Sequence, residues 1–279
     1  MNRSIFAFIS LPLRQHSPLA PARLTRALAV ARSLAIYYGL MPLRARRMAR
    51  LYAPWVRPGA LCFDVGAHVG NRVRCWRGLG ARVLAIEPHP DLVAVLRRLY
   101  GRDRQVEILA AAVGAAPGRA QLLADKRNLT VATLSAGWAS RMGSDPRFQG
   151  IDWTPAAEVE VTTLDVLIAG FGRPAFVKID VEGLEPEVLA GLSTPLAALS
   201  FEYLTAAPEA ALACVERLEG LAAYRYNWSP GESHRLASAA WLDAEEIRRV
   251  LGTLARGTGS GDVYARLAGE ALAAGVEGP

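Results

Sequence analysis

Cysteine is scarce in this chain. Cys62, Cys75 and Cys214 are the only three, and no two form a CxxC pair. That excludes a disulfide framework and argues against a structural zinc site, and it fits a reducing compartment. The four histidines, His16, His68, His89 and His234, lack metal-ligand spacing such as HExxH. No run approaches the roughly 20 apolar residues of a membrane span. The nearest, residues 27–43, is interrupted by Arg32. Acidic residues are absent from positions 1–63, which hold ten arginines (3, 14, 23, 26, 32, 44, 46, 47, 50 and 57). The net charge is +6, so residues 64–279 carry 6 − 10 = −4 and the basic character is N-terminal.

What is present is a 279-residue chain, 52 % hydrophobic, able to bury one large core or a main domain with an appendage. The arginine-rich start reads as an arm drawn to anionic lipid, nucleic acid or an acidic substrate. An organelle transit peptide has the same composition. So does a pair of amphipathic helices packed on the main domain with solvated arginines. Pro12, Pro18 and Pro21 exclude a single continuous helix. We expect a basic helical extension over 1–57 and one domain over 58–279, in the cytoplasm or at a membrane surface.

From residue 60 onward strands and helices alternate. "LCFDVGA" is a short apolar strand ending near Asp64, and "HVGNRVRCWRGLG" a helix closed by glycines. "ARVLAIEP" and "HPDLVAVLRRLYG" repeat the unit, and "QVEILAAAVG" is a third strand. Residues 114–157 read as irregular, with hairpin-like pieces such as "RAQLLAD" and a substrate-facing loop. "VEVTTLDVLIAGF" runs from strand to helix. "PAFVKID", "LAALSFEYL" and "GDVYARL" are further strands, with helices around 208–219 and at "DAEEIRRVLGTLA". Such units predict a mostly parallel sheet covered on both faces. In open sheets of this kind ligands bind beyond the carboxyl ends of the strands.

Two strand ends carry chemistry. In "DVGAHVGNR" a GxxxG turn, Gly66 to Gly70, lets backbone approach a ligand and presents free N–H groups at a helix start. Glu87 follows Gly66 by 87 − 66 = 21 positions, where an acid holds a ribose hydroxyl pair. The missing middle glycine and Asp64 before the turn favour S-adenosylmethionine over NAD. Pyrophosphate needs the closest backbone approach, whereas a sulfonium amino acid needs acids around its ammonium. In "KIDVEG" a buried strand ends on Asp180 and Glu182. Unpaired buried carboxylates are costly, so they require a donor, a metal or a substrate, and Lys178 is one candidate partner. Alternatively, both acids cap the following helix.

These motifs, with "IEPHP", "TTLD", "FEY" and the "VLAGL" that follows "KIDVEG", resemble in order those of the FkbM-type S-adenosylmethionine-dependent methyltransferases, over roughly residues 60–267. The resemblance implies a Rossmann-like, doubly wound α/β fold of seven strands with the last antiparallel. It also implies O-methylation of a sugar, glycolipid or natural-product hydroxyl. Carried over, Asp64, Gly66 and Gly70 fit the methionine end of the cofactor, Glu87 its ribose, and Ala111 to Val113, with Ala112 at the centre, its adenine; His68, Asn71 and Pro88 are further cofactor-binding candidates beside them. "NLTVATLS" (128–135) fits a loop near substrate or cofactor. His68 stands where the family has Asn, and the first 50 residues align with nothing in it.

A hydroxyl acceptor needs a base or a metal to take its proton. Asp180, Glu182, Glu202 and His234 are the candidate catalytic residues, with Asp180 as base or hydroxyl orienter and Glu182 and Glu202 as substrate or metal partners. A divalent cation on these oxygens is compatible with the sequence and not required by it. Quieter readings stand beside these. His68 would bond the turn backbone, His89 start a helix, His234 sit in a loop and Asp165 cap a helix. The tryptophans would be core or edge residues. A non-catalytic scaffold with this fold is the alternative, disfavoured by the joint presence of Asp64, Glu87, Asp180 and Glu182. A nicotinamide-dependent sugar enzyme is disfavoured by GxxxG and by the lack of a Tyr-x-x-x-Lys pair. Arginines without interleaved lysines and aromatics do not suggest a nucleic-acid partner.

Overall fold

The computed structural model of the protein describes residues 22–39, 42–145, 148–254 and 259–269. Seven strands form the main sheet in the order β3-β2-β1-β7-β8-β10-β9. They are β1 Leu61–Val65, β2 Arg82–Ile86, β3 Val106–Leu109, β7 Phe176–Ile179, β8 Ala198–Leu204, β9 Tyr224–Pro230 and β10 Ser260–Leu267. β10 is antiparallel to both neighbours, and the β1, β2, β3, β7 and β8 pairings are parallel. Central strands are buried on both faces, all four residues of β7 included, which is why they read as unbroken apolar runs. The chain fills the sheet outward from β1 in one direction and from β7 in the other. The switch point, where a crevice opens, lies between them.

Helices α3 Asn71–Gly78, α4 Pro90–Tyr100, α6 Leu164–Phe171, α7 Glu185–Ala190, α8 Pro208–Glu219 and α9 Ala244–Thr253 alternate with these strands. Their ends follow local chemistry. The His89 side chain caps α4 with Pro90 at its first position, and Asp243 and Glu246 make a capping box on α9. Thr163, not Asp165, caps α6; Asp165 instead accepts from the backbone N–H of Ser193.

Three expectations change. The third strand divides. Val106–Leu109 joins the main sheet, while β4 Ala112–Val113 pairs with β6 Thr154–Thr162 in a second, three-stranded sheet. β6, the "VEVTT" strand, therefore lies outside the main sheet, and "YRYNWSP" supplies the seventh strand as β9. The segment 114–157 is more regular than its glycines suggest. β5 Gly118–Ala124 pairs antiparallel with β6, and α5 Ala136–Met142 is capped by Ser135.

Before the sheet come α1 Ala22–Leu34, a π-helical turn Ala35–Gly39 and α2 Pro42–Tyr52. Met48, Leu51 and Tyr52 of α2 join the core formed by Trp76, Phe176 and Tyr264, and Ala29 of α1 packs with Val69, Leu92 and Leu129. Both helices thus belong to the folded body. Arg3, Arg14, His16 and the three N-terminal prolines lie outside the described residues.

Candidate active site

A cavity of about 160 Å³ opens at the carboxyl ends of β1 and β7. Its floor is the turn after β1. Gly66 and Ala67 both donate backbone N–H groups to the Ile86 carbonyl, and Gly66 has φ +81°. A Cβ on Gly66 would stand 1.9 Å from the backbone oxygen of Asp180, so only glycine lets the ends of β1 and β7 approach this closely. Glu87 ties two turns together. One carboxylate oxygen accepts from the His68 N–H and the other from the His89 N–H, each at 2.8 Å. Burial pushes its carboxyl up to about 7, against the pull of those two donors.

The predicted donor residues divide between wall and scaffold. Gly66, His68, Asn71, Glu87, Pro88 and Ala112 line the cavity, as does the whole stretch 128–134. Gly70 shapes the turn from behind, with its carbonyl accepting from Tyr100 and its φ at +81°. Asp64 is buried below the cavity rather than lining it. Neither of its oxygens has a hydrogen-bond partner among the described residues, and burial pushes the carboxyl up to about 6 despite Arg72 and Lys178 nearby. The His68 ring meets Tyr37 edge-on at 5.2 Å, and burial holds the ring neutral, down to about 3. His68 Nε2 and Asn128 Nδ2, on residues that line the cavity, are buried and have no partner among the described residues. These orphaned groups, with the glycine floor, fit a polar ligand such as S-adenosylmethionine.

At the second strand end, Asp180, Glu182 and Glu202 each place a carboxylate oxygen within 4.8 Å of the others, and all three line the cavity. Neither Asp180 nor Glu182 caps α7. Glu185 does the local holding, accepting from the N–H groups of Val181 and Gly183. Asp180 is instead ion-paired, at 3.4 Å from Lys178 and 3.5 Å from Arg72. Lys178 is fully buried and makes its shortest contact, 2.6 Å, with Asp262 on β10. Desolvation lowers the Lys178 pKa, but the Asp180 and Asp262 charges outweigh it and the net shift is upward. Among the described residues Glu182 and Glu202 have no such partner. Burial and the neighbouring Asp180 charge drive both well above the ordinary carboxylate range. The trio is a set of hard oxygen ligands that a divalent cation could also use.

Glu182 sits at φ +54°, an uncommon conformation for a side-chain-bearing residue; His68 (φ +51°) and His234 (φ +49°) share it. Glu182 is held from behind. Its carbonyl accepts from the Thr133 hydroxyl, and a Cβ on Gly183 would collide with Trp138 at 2.0 Å. His234 does not line the cavity; its Nε2 lies 3.2 Å from Glu232, which does. Burial raises the Glu232 carboxyl, but the His234 contact and the Arg72 charge prevail and hold it at about 2.

Arg72, Asp262, Glu232 and Tyr37 were not singled out by sequence reasoning. Two had a signal: Arg72 follows Asn71 in the turn motif, and Asp262 opens "GDVYARL". Nothing local marks Tyr37, which joins Arg32, Ser33 and Ile36 as a wall contributed by the N-terminal segment. That wall is fastened to the turn. The Tyr38 hydroxyl donates to the Val69 carbonyl and lies 2.6 Å from that of Tyr100. Among the described residues no tryptophan lines the cavity, and His89 is a helix cap.

Residues 64–224, more than half of the chain, match the family model described as the methyltransferase FkbM domain. No curated protein matches in sequence. Among solved structures, the chain is similar to a precorrin-6y C5,15-methyltransferase from Geobacter metallireducens, at 11% identity and TM-score 0.43, over 82% of this chain and 92% of that one. It is also similar to a TehB-like SAM-dependent methyltransferase from Corynebacterium glutamicum, at 12% identity and TM-score 0.45, over 89% and 100%. A third is Aeropyrum pernix fibrillarin with natively bound S-adenosyl-L-methionine, at 9% identity and TM-score 0.40, over 85% and 76%.

Proposed function

We propose, from the premise that the chain belongs to the FkbM methyltransferase family, that it methylates a hydroxyl group of a small-molecule or carbohydrate acceptor. Its methyl donor is S-adenosylmethionine, which when bound supplies an electrophilic methyl on a sulfonium. Gly66, His68, Asn71, Glu87, Pro88, Ala112 and Asn128 hold the donor, with Asp64 buried beneath. The observation that carries the acceptor chemistry is the trio Asp180, Glu182 and Glu202, three carboxylates in the wall of the cavity that the donor turn floors.

Their division of labour follows from their partners. Asp180, clamped by Lys178 and Arg72, accepts a hydrogen bond from the acceptor hydroxyl and orients it. Glu182 and Glu202 share the task of taking the proton as the oxygen reacts. Close confinement keeps at least one of them protonated when the site is empty, because adjacent like charges disfavour double ionisation. Glu232, held ionised and braced by His234, contributes a further acceptor for hydroxyl groups. Orientation of this kind accounts for the larger part of the rate, on the order of 7–11 kcal/mol in favourable cases. General-base assistance adds about 10²–10⁴-fold.

Calorimetric titration with S-adenosylmethionine, with NAD as control and Glu87→Ala as variant, tests the donor site. Transfer of labelled methyl to a panel of hydroxylated sugars and amines, read by mass spectrometry, tests the acceptor class. Methylation of amines alone would overturn the hydroxyl assignment.

A further inference from the structure

We propose that α1 is a docking helix whose outer face seats on an anionic lipid bilayer. Leu28 is 61% exposed, the most exposed large hydrophobic among the described residues, and Leu24 is 50% exposed. They are four positions apart, and Ala31 and Ala35 continue the same line along the helix face, also exposed. The opposite face is committed. Ala29, Ser33 and Ile36 line the cavity, and Ala29 packs with Val69 and Leu92. The outer stripe therefore cannot turn inward without opening the cavity wall.

Charge selects the occupant. Besides Arg32, which lines the cavity, the sequence of α1 carries Arg23 and Arg26, that of α2 Arg44, Arg46, Arg47 and Arg50, and the first acid in the chain is Asp64. Arg46, Arg50 and Arg57 are exposed. A second copy docking through the same stripe would bring an equally basic, acid-free segment against this one. The preceding 21 residues, with Arg3 and Arg14 and no acid, offer these arginines no counter-charge either. Anionic headgroups complement the arginines while the acyl boundary takes the leucines. No described helix is long and apolar enough to cross a membrane, so the contact lies in the interface plane. One helix then carries both a wall of the reaction cavity and the lipid-facing stripe. The inference rests on the faces of α1 and the arginine distribution, not on the reading of the site.

Flotation of the full-length protein with phosphatidylcholine vesicles, and with equal-part mixtures of phosphatidylcholine and phosphatidylglycerol, tests it. The protein should float with the anionic vesicles, less so as salt rises, and remain behind with the neutral ones. Leu24→Ser combined with Leu28→Ser should lower the partition coefficient by about 10- to 100-fold. Its melting temperature and S-adenosylmethionine affinity should match the parent, since neither leucine lines the cavity. No binding to anionic vesicles, or binding untouched by the double substitution, would overturn the proposal. So would a concentration-dependent dimer that the same substitution dissolves. Vesicle binding by a protein that fails to bind the methyl donor would sink the methyl-transfer reading and leave this one standing.

Discussion

Gly66→Ala compared with Gly59→Ala measures how much the site depends on the near-contact of β1 and β7. Both glycines have left-handed backbones, φ +81° and +79°. Alanine at either position therefore bears the same conformational penalty, about 1–2 kcal/mol. A Cβ at Gly59 meets nothing within 4 Å, whereas at Gly66 it stands 1.9 Å from the Asp180 carbonyl oxygen. Relieving that overlap to 3.0 Å requires a separation of 3.0 − 1.9 = 1.1 Å between two hydrogen-bonded strand ends. Overpacking of this kind adds about 1–3 kcal/mol. Each kcal/mol lowers Tm by roughly 2–4 °C in a chain approaching this length. Thermal unfolding should thus place Gly66→Ala below Gly59→Ala by about 2–12 °C. The calorimetric affinity for S-adenosylmethionine should fall by about tenfold or more in Gly66→Ala, since a misplacement of roughly 1 Å is costly in such sites, and stay unchanged in Gly59→Ala. Equal losses of stability, or full donor affinity in Gly66→Ala, would refute the close-approach argument.

Three further outcomes follow from the same geometry. Lys178→Met removes the buried partner of Asp262 and Asp180 and should cost about 3–5 kcal/mol in denaturant unfolding; adding Asp262→Asn should recover part of that, and a neutral single substitution would contradict the ion network. Glu182→Gln and Glu202→Gln should each lower kcat by about 10²–10⁴-fold while leaving donor affinity intact, and a loss confined to donor binding would reassign them. The third concerns pH. Glu87 titrates at 4.5 ordinarily and about 7 here, so between those values the folded chain holds more protons and stability falls as pH rises. A shift of that size is worth about 3 kcal/mol, and Asp64 and Glu185 act in the same direction. Glu232, held at about 2, acts oppositely; its stabilisation disappears as pH falls below its ordinary 4.5. Tm measured against pH should therefore decline less steeply between pH 4.5 and 7 in Glu87→Gln than in the parent, and parallel curves would dismiss Glu87 as the source.

Local pattern alone was enough for the strand-turn-helix units, the glycine turn at 66–70, Glu87 and the acids ending β7. Each is encoded within a few residues, by apolar runs that stop on a glycine or a carboxylate. The same locality misled at 106–113, where one apolar run serves two sheets, because a pairing partner 161 − 112 = 49 residues away decides where it divides. The ion network was equally out of reach. Lys178 and Asp262 lie 84 positions apart and meet only because β10 enters the sheet antiparallel beside β8. Glu232 reaches the cavity from the loop after β9, and Tyr37 from a segment whose own sequence marks it only as basic and apolar. By itself, then, the sequence determined the strand-helix units, the glycine turn and the acidic strand ends. Tertiary structure decided which acids are paired, which stay uncompensated and what closes the cavity, because charge pairing and burial depend on neighbours that only the folded chain brings together.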